Sequence, residues 1–155
     1  NNTIYAYRGD GTPIFAKYTI STNSWTTLTS APAALGTGGG NGLAYANGAV
    51  YALRGGATTA FWRYNISANT WTTTLAQAPA AVGPGRALTS DGQDLFAFPG
   101  NSTNAYWSYR IASNTWDVLG TAPGTVADGG ALAVLNGIVS ALRGAATTTF
   151  WKIHS

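Results

Sequence analysis

With 155 residues, 45% of them hydrophobic, the chain is long and apolar enough to build one core rather than stay disordered. Only 8% of its residues are charged, and the net charge of +3 is too sparse for the clustered basic footprint of a nucleic-acid binder, so no nucleic-acid partner is expected. The absence of Cys excludes disulfide staples and thiol chemistry, and no apolar run approaches the roughly eighteen residues of a membrane helix, so membrane insertion is not expected either.

The chain opens partway through a pattern that it later repeats in full. Ile4-Tyr5-Ala6-Tyr7-Arg8 matches Val50-Tyr51-Ala52-Leu53-Arg54, so the first copy lacks its first strand. Phe15 to Ile20 reads as a third strand and Trp25 to Leu28 as a fourth. Leu43 to Ala46 then reads as the first strand of the next copy, joined to Ala49–Leu53 through Asn47-Gly48, a pair suited to a type I′ hairpin because both positions need positive φ. Gly55-Gly56 ends that strand, Phe61 to Ile66 is the next, and a Ser/Asn turn leads to Trp71. The third copy runs through Ala87 to Ser90 and the strands around Trp107 and Trp116. The fourth begins at Ala131 to Leu135 and stops in its third strand at Phe150-Trp151-Lys152-Ile153-His154-Ser155. First strands are mostly small residues, as inner strands crowded around an axis require. Helices have no foothold.

The period is set by the aromatics. Tyr18 to Trp25, Tyr64 to Trp71 and Tyr109 to Trp116 are each seven apart, and the Trp positions advance by 46 and then 45. Each fourth strand is followed by Ala-Pro (Ala31-Pro32, Ala78-Pro79, Ala122-Pro123), which marks a crossover because Pro cannot donate to a ladder. Trp71 reaches Pro79 in eight residues where the other copies take seven, which predicts a β-bulge within residues 72–74. Alternation puts Ala16, Tyr18 and Ile20, Trp62, Tyr64 and Ile66, and Trp107, Tyr109 and Ile111 on a core stripe. It leaves Phe15, Phe61 and Tyr106 on an opposite, half-apolar face expected to lie further out.

A repeat of about 45 residues with four short strands, a Gly-rich turn after the second, a Tyr in the third and a Trp opening the fourth resembles the kelch repeat. The resemblance covers essentially the whole chain, although the double Gly is complete only at Gly55-Gly56. It implies an all-β fold of kelch-like β-propeller blades, about 3.5 four-stranded repeats. The expected division is a partial blade at 1–30, blades at 31–75 and 76–120, and a partial blade at 121–155. That is an incomplete ring, to be completed by self-association or by a missing part of the chain. Its end faces are expected to be open near Tyr5, Tyr18, Ile138 and Trp151.

Reactive constellations are hard to assemble from these residues. The single His, His154, has no Cys to pair with and sits at the C-terminus, so no nucleophilic triad, cofactor or metal site is expected. Asp91-Gly92-Gln93-Asp94 falls where the other copies make hairpin turns and lacks the ligand count of a calcium loop. The five Asp offer no carboxylate pair for glycoside cleavage. Arg8, Arg54 and Arg143 occupy one repeat position and could form an arc gripping carboxylate or phosphate groups, with Arg86 as a further candidate. The plainer reading is that each Arg satisfies carbonyls of its neighbouring loop. Trp62, Trp107 and Trp151 are read as core rather than as a sugar platform. Asn1, Asn65 and Asn101 stand in glycosylation sequons, Asn101 being the best placed. A chain without oxidisable Cys or Met, rich in Thr, Ala, Gly and Asn, reads as a secreted or surface protein that lost an upstream segment. The expected function is a non-catalytic extracellular binding or scaffold module with a glycan or protein ligand. A carbohydrate-binding lectin is the alternative, and a glycan-active enzyme a more distant one.

Overall fold

A computed structural model describes residues 2–9, 11–36 and 42–153. Among them the chain is all-β, with fourteen strands in four antiparallel sheets, none of them closed. The first sheet has three strands, β1 (Thr3–Tyr7), β2 (Phe15–Thr19) and β3 (Ser24–Thr27). The second has four, β4 (Leu43–Ala46), β5 (Ala49–Leu53), β6 (Phe61–Asn65) and β7 (Thr70–Thr72). The third comprises β8 (Ala87–Ser90), β9 (Asp94–Phe98), β10 (Thr103–Arg110) and β11 (Thr115–Val126). The fourth comprises β12 (Ala131–Leu135), β13 (Ile138–Leu142) and β14 (Phe150–Ile153). Strands pair in sequence order throughout. The one helical piece among the described residues is a 3-10 turn, Ile20–Thr22.

The turns obey the sequence chemistry. Asn47 (φ 47°) and Gly48 (φ 75°) close the β4–β5 hairpin, with Ala46 opposite Ala49, and Asn136 (φ 51°) and Gly137 (φ 74°) do the same for β12–β13. Both residues are left-handed in each pair, which is what a two-residue type I′ loop demands.

The sheets pack face to face. Ala49, Tyr51, Leu53 and Phe61 of the second sheet meet Leu88, Leu95, Ala97, Trp107 and Tyr109 of the third in one buried cluster. Ala87, Phe96, Phe98 and Tyr106 of the third meet Leu132, Val139 and Ala141 of the fourth in another. Two further clusters join the first and second sheets through Phe15, Leu35, Val50, Trp62 and Tyr64.

Four expectations need correction. The face carrying Phe15, Phe61 and Tyr106 is not an outer one: Phe15 and Phe61 are fully buried, because it is the face each sheet turns toward the next sheet in the chain. The bulge expected at residues 72–74 is absent, since β7 stays in register with β6 and ends at Thr72. Register shifts fall instead in the β10–β11 pair, between Thr103 and Ala105 and between Tyr106 and Trp107. Pro123 therefore lies inside β11, in an irregular stretch between the paired residues Thr121 and Val126, the kind of place where a strand accommodates proline. Finally, Tyr5 and Trp151 are not open ends. Tyr5 stacks on Phe15 toward the second sheet, and Trp151 packs on the cluster between the third and fourth.

Candidate functional site

The most developed polar constellation is a tether that recurs with the repeat. Asn23, Asn69 and Asn114 each sit left-handed (φ 49°, 54° and 55°) in the turn before the last strand of their sheet. In that conformation each presents its Oδ1 to a tyrosine of the strand before. Tyr18 donates to Asn23 at 2.6 Å, Tyr64 to Asn69 at 2.7 Å and Tyr109 to Asn114 at 2.7 Å. In the second and third sheets the same oxygen also accepts a backbone amide from the crossover leaving the preceding sheet, Thr29 N–H to Asn69 (3.0 Å) and Ala76 N–H to Asn114 (2.8 Å). Two residues beyond each of these Asn, the indole completes the grip. Trp71 Nε1 donates to the Thr29 carbonyl (2.9 Å) and Trp116 Nε1 to the Ala76 carbonyl (3.0 Å). One crossover residue thus has both its amide and its carbonyl satisfied by the next sheet, which answers the cost of covering unpaired backbone.

The arginines extend the same device. Arg54 Nε donates to the Ala34 carbonyl at 2.9 Å and Arg143 Nε to the Thr125 carbonyl of β11 at 3.0 Å, in each case two residues after the Ala-Pro proline of the repeat. The Arg54 guanidinium also lies 5.9 Å from the centre of the Trp62 ring. Arg8, in the corresponding place, is exposed and has no hydrogen-bonded acceptor among the described residues. The third sheet has Pro99 at this position, and there the backbone makes the bonds, Gly83 N–H to the Pro99 carbonyl (2.9 Å) and Asn101 N–H to the Pro84 carbonyl (2.7 Å). Arg86 does not join the others at a surface. It is 4% exposed, with its guanidinium filling the space that a side chain at Gly55 would take, and burial works against its charge. That occupancy is a physical reason for the double glycine here. Gly36, in turn, could carry no Cβ without meeting the Gly55 backbone at 2.6 Å.

The remaining candidates have plainer roles. Asp91 Oδ1 accepts the amides of Gln93 and Asp94, both at 2.8 Å, so the carboxylate is engaged in shaping its own turn. Asp117 forms an exposed ion pair with Arg110 across β10 and β11. No group of three or more His, Cys, Asp or Glu that could hold a metal occurs among the described residues. Trp62 and Trp107 are buried and Trp151 half-buried, all in core clusters. Asn101 is exposed in the β9–β10 turn, whereas the Asn65 side chain accepts from Ser67 Oγ (2.8 Å) and the Ala68 amide (3.1 Å). Asn1, Asp10 and His154 lie outside the described residues. Burial pushes the Tyr109 hydroxyl up to about 12, with a smaller contribution from the neighbouring Tyr51 phenol, and raises Tyr64 and Tyr106 as well. These phenols are held neutral as hydrogen-bonding and packing groups rather than poised as bases.

Sequence reasoning missed the asparagines. Their signal is present, an Asn five residues after each Tyr and two before each Trp, but a turn Asn is read as a backbone device and not as a clamp on another sheet. Compared with known proteins, the chain matches no protein-family model and no curated sequence.

Proposed function

We propose that the four sheets are kelch-like propeller blades and that the chain is a non-catalytic binding or scaffold module of a secreted or surface protein. The blade reading is supported by the tether, which repeats at the period of the aromatics and joins the second and third sheets each to the crossover before it. The observation that carries the scaffold reading is how the polar side chains are spent. Arg54, Asn69, Asn114, Trp71 and Trp116 bond backbone of a neighbouring crossover and Arg143 bonds backbone near the end of β11, so the groups best able to grip a ligand are holding the sheets together. Arg8 is the member of the arginine set with an exposed side chain and no hydrogen-bonded acceptor among the described residues, so the lectin alternative rests on it.

A glycan array including acidic sugars, run with the wild-type chain and with Arg8→Ala, tests this, together with a hydrolysis assay on the same glycans. Neither acidic-glycan binding nor turnover is expected. Binding that Arg8→Ala abolishes would replace the scaffold reading with a lectin, and turnover would replace it with an enzyme.

A further inference from the structure

The contacts from the first sheet to the second and from the second to the third are each built on one aromatic insertion. The phenylalanine that opens the third strand of the repeat enters the slot between the Tyr and Trp of the next sheet. Phe15 lies 4.9 Å from the Tyr64 ring and 5.1 Å from the Trp71 ring, both edge-on. Phe61 repeats this on Tyr109 at 4.7 Å and Trp116 at 4.9 Å. The two walls of the slot are set by the sheet itself, Tyr64 and Trp71 lying 5.2 Å apart and Tyr109 and Trp116 5.1 Å apart.

Among the described residues, one slot is without a phenylalanine and one phenylalanine is without a slot. Tyr18 and Trp25 of the first sheet stand 5.2 Å apart, the same spacing as in the filled slots, and Trp25 is 61% exposed. Phe150 opens the third strand of the fourth sheet, at the repeat position of Phe15 and Phe61, yet it is 62% exposed where they are 0%. The surroundings match. Ile4, directly across from Tyr18 in register, and Ile20 are exposed on the slot face, as are Leu135, Ile138 and Leu142 on the phenylalanine face. Seven of the ten exposed large hydrophobic residues among those described therefore lie on these two surfaces. Patches of this kind on a soluble protein mark contact surfaces.

We infer that these faces belong to one interface between two copies of the chain, in which Phe150 of one copy enters the Tyr18–Trp25 slot of another. The second copy is the occupant because the two open faces are the two halves of a contact that the chain already makes twice within itself. The join is heterologous, so it either closes into a ring or continues as a filament. Two copies joined at both ends bring eight sheets, which lies within the four to eight blades of closed propellers; this count, unlike the join, rests on the propeller reading.

Light scattering at low micromolar concentration tests the inference with the wild-type chain, Trp25→Asp, Phe150→Asp and an equimolar mixture of the two variants. Both replaced side chains are exposed, and a thermal melt of each variant verifies that it is folded. The wild type is expected at twice the 16.0 kDa chain mass, each variant alone as a monomer, and the mixture partly restored to a pair through its one intact Phe150 and one intact slot. A folded Phe150→Asp that still pairs would show a contact between like faces and overturn the inference. So would a monomeric wild type, or a mixture that stays monomeric. A larger wild-type assembly abolished by both variants would keep the join and overturn the closed pair.

Discussion

Asn69 illustrates how much one small side chain carries in this fold. It holds a left-handed backbone, accepts the Tyr64 hydroxyl and accepts the Thr29 amide, so it ties a turn, a strand and the preceding crossover at one oxygen. Asn23 occupies the same position but holds only its own tyrosine among the described residues. Substituting Asn69 by Ala removes two hydrogen bonds and puts alanine where φ is positive, a loss of about 2 kcal/mol. The same change at Asn23 removes one exposed bond, and about half that loss is expected. Urea denaturation of the two variants gives the comparison, and equal effects would mean that the crossover bond contributes nothing.

At the level of elements, the phenylalanines divide by whether a neighbouring sheet covers them. Phe61→Ala opens a cavity between Tyr51, Tyr109 and Trp116, and a destabilisation of about 3–5 kcal/mol is expected. Phe150→Ala in monomeric protein is expected to stay within about 0.5 kcal/mol of wild type, since that ring is already in water. Denaturant melts of the two variants at high dilution decide this. Strand bounds are the most legible feature of the sequence: Leu43–Ala46, Ala49–Leu53, Ala87–Ser90 and Ala131–Leu135 are all where alternation and turn chemistry put them. The use of each face is less legible. Period-2 alternation separates two faces but does not say which neighbour each one meets, and in a stack of sheets both are buried. Alternation alone therefore sends Phe15 and Phe61 to an outer side that does not exist for them. The missing bulge has a similar cause, because the extra residue before Pro79 lengthens a connection beyond the end of β7 and does not enter the ladder.

For the whole molecule, the candidate site is legible in the sequence as a set of positions and not as a set of roles. The repeat picks out Arg8, Arg54 and Arg143, and the structure gives two of them backbone acceptors outside their own turns, Ala34 for Arg54 and Thr125 of β11 for Arg143. Sequence position alone does not distinguish a cation aimed at a ligand from one aimed at a crossover, since both sit after the second strand beside glycines. The central claim is that these cations hold sheets together, and it is tested most directly by the stability of Arg54→Ala beside Arg8→Ala. Arg54→Ala removes a charged hydrogen bond to Ala34 and a ring contact with Trp62, and a loss of roughly 1–2 kcal/mol is expected in equilibrium urea unfolding. Arg8→Ala, which removes no hydrogen bond among the described residues, is expected to leave the midpoint unchanged. An Arg54→Ala chain as stable as wild type would contradict the claim.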